Sequence, residues 1–523
     1  MNRSFICRWL RRGFVLCAGL IVLLIVSLLV AREVVDQSGK RRWAAVQEML
    51  AREGESLDFR KIAPDPVPDD QNFCAIPALK DLPLALNESD KTSPLALKRL
   101  RLMNTALPDR RDGPDYSQGA TSGRPVDLEA WAAYLRKPAR KTASPDSGNP
   151  ARDVLASLSQ DDALIGELSL GLPRPDSQWT PSWKTRPLPD LLYNISVPEF
   201  APVANIDPML GLRAVAEARA GNAAAAHQSL LIAVRLIQAL GKEPGGGNAL
   251  FISSGIYSRF LCNTAWELCY AHCGTAEDFR ALQQEFVKLD YKAFSLLAQR
   301  AQMAFSINAL ERLKQTQQKD GFTSAAFPSL MKNRAILLLL PRLIPDGWFD
   351  GNAALIMQWY HDYFIKPLRD EGPMKLLNRN KDFNAALKKY YSPPPFQSLG
   401  EALTPFFPPG YPARFVIYTQ CLLNESIAAC ALERYRIGHG TYPDALEAVN
   451  LPGEANIPLD IISGKPMGYR KTADGRYALW CVGFDRTDDG GKRVLAKDPW
   501  CGDSNFPSNL GDWVWDFAPA AAK

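Results

Sequence analysis

The chain has 523 residues, of which 46% are hydrophobic and 22% are charged. That much apolar material can bury a large core, so the composition excludes a disordered chain. The 61 basic and 56 acidic residues nearly balance, at a formal net charge of +5. Such a balance does not indicate the basic surface that nucleic acid requires. The composition therefore predicts a globular body and no nucleic-acid partner.

Residues 13–30 form an apolar run without a charged side chain. As a helix the run spans about 27 Å, which matches the hydrocarbon thickness of a bilayer. The alternative is a cleaved signal peptide, whose apolar region has about 7–15 residues and precedes a small-x-small site. Here the run is longer, and it ends in Leu29, Val30 and Ala31. We therefore predict an uncleaved single-pass transmembrane anchor over 13–31, preceded by a short tail over 1–12.

Basic residues flank both ends of the run. Four arginines precede it, and Arg32, Lys40, Arg41 and Arg42 follow it. The leading group lies closer to the lipid and contains no acidic residue, so the positive-inside bias favours an N-terminus on the cytoplasmic side. The body would then lie on the outer side. Eight cysteines follow the run, an even number that is compatible with an oxidising compartment.

Prolines mark the irregular parts of the chain. Residues 32–199 are predicted to contain a juxtamembrane helix and then a proline-rich irregular region, because proline interrupts both helices and central strands. Residues 200–392 show helical periodicity, with Gly221 between the first two helices. Their helical hairpins resemble tetratricopeptide repeats. The apolar stretch 335–344 is short for a second membrane span and is expected in the core. Residues 393–412 form a proline-rich connector.

The C-terminal residues 413–523 change in pattern. A long amphipathic helix begins at Arg414 and ends at Gly438-His439-Gly440, and a second helix is predicted to start in TYPDALEAV at 441–449. Two strands follow around the turn at 473–475. Residues 511–517 are predicted to form a last strand. The expected fold is therefore mainly α, with a transmembrane helix, an irregular or repeat-like helical body, and a small C-terminal α+β module with a short antiparallel sheet.

The C-terminal module resembles the C-terminal domain of type II secretion major pseudopilins. The similarity lies in ALERYRIGHGTYPDALEAV, in the Pro-Leu-Asp element at 458–460, and in GYR followed by YALWCVGFD. In a pseudopilin the hydrophobic helix leads directly into this domain, whereas here residues 31–412 intervene. The whole chain looks like large, uncharacterised membrane-anchored bacterial proteins with a helical middle. With the charge bias described above, we predict a location in the bacterial inner membrane, with the N-terminus cytoplasmic and the bulk periplasmic.

The acidic loop, defined here as residues 485–491, is the candidate metal site. It places Asp485, Asp488 and Asp489 next to Gly490 and Gly491, and glycine allows a tight backbone path on which hard oxygens can converge around Ca²⁺. The pseudopilin resemblance also implies a calcium-binding loop here. The alternative is a solvated turn. No cofactor other than Ca²⁺ is expected.

Other residues that carry chemistry are sparse. The four histidines and the segment CYAHC at 269–273 are not arranged as a tetrahedral metal site, and these cysteines are expected to be buried core residues. No nucleophile, zinc-protease or nucleotide-binding motif is present. Cys481 and Cys501 flank the acidic loop and are the predicted disulfide pair.

These features favour a non-enzymatic, membrane-anchored cell-envelope protein that binds other proteins. Helical repeats form extended surfaces suited to that purpose. The alternative is an envelope hydrolase with an acidic active site whose residues the sequence does not group.

Overall fold

A computed structural model describes most of the chain. The described residues are 3–80, 94, 113–114, 119–136, 147–184, 200–244, 247–320, 345–391, 413–450, 456–493 and 511–517. The predicted core stretch 335–344, the connector 393–412 and Cys501 lie outside them.

The described residues are mainly helical, which confirms the predicted fold class. The helices are α1 (Arg3–Arg52), α2 (Phe59–Ile62), α3 (Gly119–Ser122), α4 (Leu128–Leu135), α5 (Pro150–Leu158), α6 (Asp162–Ser169), α7 (Phe200–Arg219), α8 (Ala223–Gly241), α9 (Gly247–Tyr270), α10 (Ala276–Val287), α11 (Tyr291–Asp320), α12 (Asp346–Tyr360), α13 (Pro373–Tyr391) and α14 (Ala413–His439). Short 3-10 turns lie at Phe73–Ala75, Ser159–Asp161, Pro181–Lys184 and Leu446–Val449, and π-helical turns at His361–Ile365 and Pro367–Glu371.

The chain divides into two compact units. Unit 1 contains Met1–Phe59, Gln299–Pro367 and Asn378–Gly410, and unit 2 contains Arg60–Ala298, Leu368–Leu377 and Tyr411–Lys523. Each unit is therefore assembled from stretches that are far apart in sequence. The domain boundaries at 199/200, 392/393 and 412/413 stay a prediction.

In unit 1, helix α1 packs along α12. The two backbones lie so close together that a Cβ atom added at Gly39 would be 1.6 Å from the carbonyl oxygen of Gly347. The Gly347 amide donates to Asp36 Oδ1 at 2.8 Å. Beyond α1, the guanidinium of Arg300 donates two hydrogen bonds, of 2.7 and 2.8 Å, to the buried carboxylate of Glu55. Small residues thus allow the C-terminal part of α1 to pack closely on α12. The ion pair between Arg300 and Glu55 fixes the residues just after α1 within unit 1.

In unit 2, α7 and α8 form the predicted helical hairpin, joined at Gly221 with φ +84°. Helix α9 packs on both, and α14 packs on α9 and α10. Helix α10 begins with a capping box, in which the side chains and backbone amides of Thr275 and Asp278 exchange hydrogen bonds. The buried faces of these helices form the core, which the proline-rich segments then cover.

A three-stranded antiparallel sheet lies beside α14 in unit 2. The strands are β1 (Gly468–Lys471), β2 (Tyr477–Cys481) and β3 (Trp513–Trp515), with β2 in the centre. All of β2 is buried, and its Leu479 lies opposite Tyr469 and Trp515. These elements confirm the predicted small sheet. The segment after His439 differs from the predicted helix, because only Leu446–Val449 makes a 3-10 turn there.

Candidate functional site

The apolar part of α1 leaves its side chains uncovered. Phe14, Leu16 and Leu20 expose 75%, 69% and 66% of their surface, and none of the apolar window of this helix is buried. A helix of a soluble body buries one apolar face. Helix α8 also has the length and composition of a membrane span, but 72% of its window is buried in the core. The chain therefore carries one uncovered apolar helix near its N-terminus, typical of a membrane anchor or a signal sequence.

Among the described residues of unit 2, five glutamates are almost completely buried, each with at most 3% of its surface exposed. They are Glu217, Glu243, Glu267, Glu425 and Glu433. A buried carboxylate is costly unless hydrogen bonds or a charge partner compensate for its lost hydration. The partners of these groups show what each one does in the protein.

Two of the glutamates hold irregular segments against the helices. Glu243 accepts hydrogen bonds from the amide of Thr180 at 3.0 Å and from the indole nitrogen of Trp183 at 2.7 Å. Glu267 on α9 accepts from the amide of Val126 at 2.6 Å and from the guanidinium of Arg219 at 2.7 Å. These carboxylates accept hydrogen bonds from irregular segments, whose backbone amides lack the partners that a helix or sheet provides.

Glu433 on α14 connects three parts of unit 2. The hydroxyl of Tyr442 donates to Glu433 Oε1, Arg436 donates to Oε2 at 2.9 Å, and His272 Nδ1 lies 3.3 Å from Oε2. Burial, and then the charge of Glu433, raise the pKa of Tyr442 far above its usual value. The phenol is therefore a permanent donor to the carboxylate. Glu433 fastens the turn after α14 and the end of α9 to the helix.

Two thiols and a carboxylate converge between α14 and the sheet. The sulfur atoms of Cys421 on α14 and Cys481 on β2 and a carboxylate oxygen of Asp460 all lie within 4.8 Å of one another. All three residues are buried. Asp460 is held in place by the amides of Ile462 at 2.9 Å and Val482 at 3.3 Å, and by the Ser463 hydroxyl. In the described part of the chain, this is the one group of three metal-ligating side chains that comes together.

Glu425 lies one helical turn after Cys421. Its Oε1 accepts a hydrogen bond from the amide of Cys481 at 3.3 Å. Burial raises the pKa of Glu425 well above its usual value, and the charge of Asp460 adds to the rise. Burial also raises the pKa of the Cys421 thiol, and contact with Cys421 followed by burial raises that of the Cys481 thiol. Burial in this cluster therefore disfavours the charged forms of its thiols and of Glu425.

The acidic loop uses its carboxylates to shape its own backbone. Asp485 accepts from the amides of Thr487 at 3.1 Å and Gly511 at 2.9 Å, and Asp488 accepts from Trp480 Nε1 and the Gly490 amide, each at 2.9 Å.

The backbone amide of Asp489 donates to Asp512, a buried residue that the sequence analysis did not select. The calcium site at Asp485, Asp488 and Asp489 stays a prediction.

The cysteines at and near 269–273 and two of the histidines make contacts within the protein. Cys262, Cys269 and Cys273 are buried, which confirms the predicted core positions. His227 Nε2 lies 2.9 Å from the carbonyl oxygen of Cys273, and His439 stacks on Tyr435. The predicted Cys481–Cys501 disulfide lies partly outside the described residues. Its described member, Cys481, lies beside Cys421, and the disulfide stays a prediction.

Sequence reasoning missed the buried glutamates and the Cys421–Asp460–Cys481 group. One local signal was present, since Cys421 and Glu425 lie four residues apart and so share a helix face. A second signal was the group of polar residues within a mostly apolar stretch of this helix, namely Gln420, Asn424, Glu425 and Ser426.

Comparisons of the chain with protein-family models, curated proteins and solved structures find no match.

Proposed function

We propose that this protein is a single-pass protein of the bacterial inner membrane that acts in the periplasm by binding other proteins. The observation that carries the proposal is the uncovered apolar segment of α1. The exposed side chains from Phe14 to Val30 would be a large aggregation-prone surface in water, and a bilayer is the environment that removes it. The arginines before the segment support a cytoplasmic N-terminus.

The use of buried polar groups supports a role in binding rather than catalysis. An active site keeps ionisable groups with perturbed pKa values available to a substrate in a cleft. In unit 2, the side chains of Glu243, Glu267 and Glu433 instead accept hydrogen bonds from other segments of the same chain. The resemblance of the C-terminal module to pseudopilins, which are assembly proteins, points the same way.

The anchor is tested by placing charge in the apolar segment. Each aspartate at the centre of a membrane helix costs about 2.5–3.5 kcal/mol, so Ile21→Asp combined with Ile25→Asp should release the chain from membranes washed with alkaline carbonate. The matched control, Val34→Asp with Val35→Asp, lies on the same helix beyond the segment and should leave the chain in the membrane fraction. A reporter that works only in the periplasm should be active when fused after Lys523.

Two outcomes would contradict this placement. A soluble product beginning near Arg32 would identify the segment as a cleaved signal peptide, and activity of a cytoplasm-only reporter at Lys523 would reverse the orientation.

Protein binding is tested on the chain in its own membranes. After solubilisation in mild detergent, native mass measurement should find the 57.9 kDa chain in an assembly of fixed composition, whose partner is lost when the same chain is produced alone. A chain that remains a single copy even after chemical cross-linking in its own membranes would contradict the proposal. Turnover of an ester, peptide or glycoside substrate by the purified chain would support the hydrolase alternative instead.

A further inference from the structure

The group formed by Cys421, Asp460 and Cys481 has the dimensions of a metal site. In a tetrahedral zinc site, thiolate sulfurs lie about 2.3 Å and carboxylate oxygens about 2.0–2.2 Å from the ion, so neighbouring donor atoms are roughly 3.4–3.8 Å apart. The three donor atoms of this group lie within 4.8 Å of one another. Small side-chain rotations would bring them to that spacing. The backbone positions come from α14, β2 and the loop before β1, three elements that are packed together in unit 2.

Glu425 provides a second and independent observation. The side chain is completely buried, yet its Oε2 atom has no hydrogen-bond partner among the described residues. Leaving a buried carboxylate oxygen unpaired costs free energy, which a cation would recover. Glu425 follows Cys421 by one turn on the same face of α14, and its other oxygen accepts from the backbone of Cys481. Glu425 therefore lies beside the group and has one carboxylate oxygen without a partner among the described residues.

The donor types select the class of ion. Thiolates bind soft and borderline ions, whereas Ca²⁺ and Mg²⁺ prefer sites built from oxygen alone. Two sulfurs with carboxylate oxygens match a tetrahedral divalent ion such as Zn²⁺. Complete burial leaves no open position for a substrate, which is the property of a structural site. The guanidinium of Arg493, whose positive charge acts on Glu425, would offset part of the excess negative charge.

We propose that Cys421, Cys481 and Asp460 bind a structural zinc-type ion, with Glu425 supplying the fourth donor atom. The ion would tie α14 to the central strand of the sheet and to the loop that precedes β1. This inference is independent of the proposed function, because a structural ion serves a binding protein and an enzyme equally. It excludes the Cys481–Cys501 disulfide, since a sulfur in a disulfide is not available as a thiolate ligand.

The test measures metal directly. The full chain is purified in detergent from cells grown with added zinc, dialysed against a chelator, and its metal content is determined by mass spectrometry. We expect one zinc ion per chain in the wild type and in Cys430→Ser. The latter is the matched control, because Cys430 is an equally buried cysteine on α14 outside the group. Cys421→Ser and Cys481→Ser should each lower zinc retention about tenfold or more.

Cobalt provides a readout that does not depend on a variant folding correctly. Chain produced in cobalt medium should show thiolate-to-cobalt charge-transfer absorption with the intensity of two sulfur ligands. In Cys421→Ser that intensity should halve or vanish, whereas Glu425→Gln should keep both sulfurs and lose the metal faster.

Three results would overturn the proposal. Absence of metal with a Cys421–Cys481 peptide linked in non-reducing mapping would identify a disulfide. Absence of metal with both thiols free would leave two hydrophobic core cysteines. Zinc that persists unchanged in both serine variants would place the ion elsewhere.

Discussion

Replacing Glu433 by leucine is expected to lower the free energy of unfolding of unit 2 by about 3–5 kcal/mol, the usual cost of removing one member of a buried charged network. The substitution leaves the hydroxyl of Tyr442 and the guanidinium of Arg436 without their acceptor inside the protein. An apolar side chain cannot compensate, because the Tyr442 hydroxyl stays buried without an acceptor. The expected readout is a lower urea midpoint of the tryptophan fluorescence transition.

Two companion variants separate this network from simple loss of charge. Glu433→Gln retains an oxygen acceptor for Tyr442 and should lose less stability than the leucine variant. Glu447→Leu changes an exposed glutamate in the nearby 3-10 turn and should remain within about 0.5 kcal/mol of the wild type. A leucine variant at position 433 as stable as the wild type would show that Glu433 does not hold these elements together.

Gly347→Ala is expected to destabilise unit 1 by about 1–3 kcal/mol, because the added methyl group meets backbone atoms that cannot rotate away. The Cβ would lie 2.0 Å from the carbonyl oxygen of Asp36, so α12 would have to move off α1. That movement also breaks the hydrogen bond from the Gly347 amide to Asp36. Hydrogen exchange of the amides between Asp36 and Arg52 should become faster.

Gly351→Ala is the matched control on the same helix. The nearest atom to its added Cβ is the Cα of Gly39 at 3.5 Å, which is an ordinary contact. Alanine also favours helix over glycine by about 1 kcal/mol, so this variant should be as stable as the wild type or more so. If the alanine variants at 347 and 351 behave alike, the close helix approach does not matter for stability.

The features predicted correctly from the sequence are those with a local pattern. The apolar run of α1, the α7–α8 hairpin broken at Gly221, and the strands around the turn at 473–475 all depend on neighbouring residues. Such patterns are readable because the period of buried side chains reflects helix or strand geometry directly. The glycine at the hairpin turn adopts a positive φ that other residues rarely reach.

Features that depend on distant contacts were not predictable in this way. Asn72 and Gln178 exchange two hydrogen bonds, of 2.9 and 2.8 Å, across 106 residues, and no periodicity relates their positions. The contact between Cys421 and Cys481 likewise depends on how β2 packs on α14. The disulfide between Cys481 and Cys501 stays a prediction, because Cys501 lies outside the described residues.

The acidic loop shows a different limit. Residue types identified a group of carboxylates, but not which way each side chain turns. Asp488 accepts a hydrogen bond from the indole of Trp480. Trp480 belongs to strand β2, so the sequence of the loop alone does not reveal this partner. A carboxylate can therefore organise a turn or bind an ion with the same local sequence around it.

Helix α1 continues without interruption from the apolar segment into the part that packs on α12. From Val30 to Gly39 the rise is only about 13 Å, and no flexible linker intervenes. With the segment in a bilayer, α12 would keep a nearly fixed height and rotational setting relative to the lipid surface. A partner that is also membrane-bound would then reach α12 by diffusion in two dimensions, at the high effective concentration that confinement to the membrane provides. A weak contact surface could suffice for association in the membrane and yet fail to hold the same two proteins together in solution.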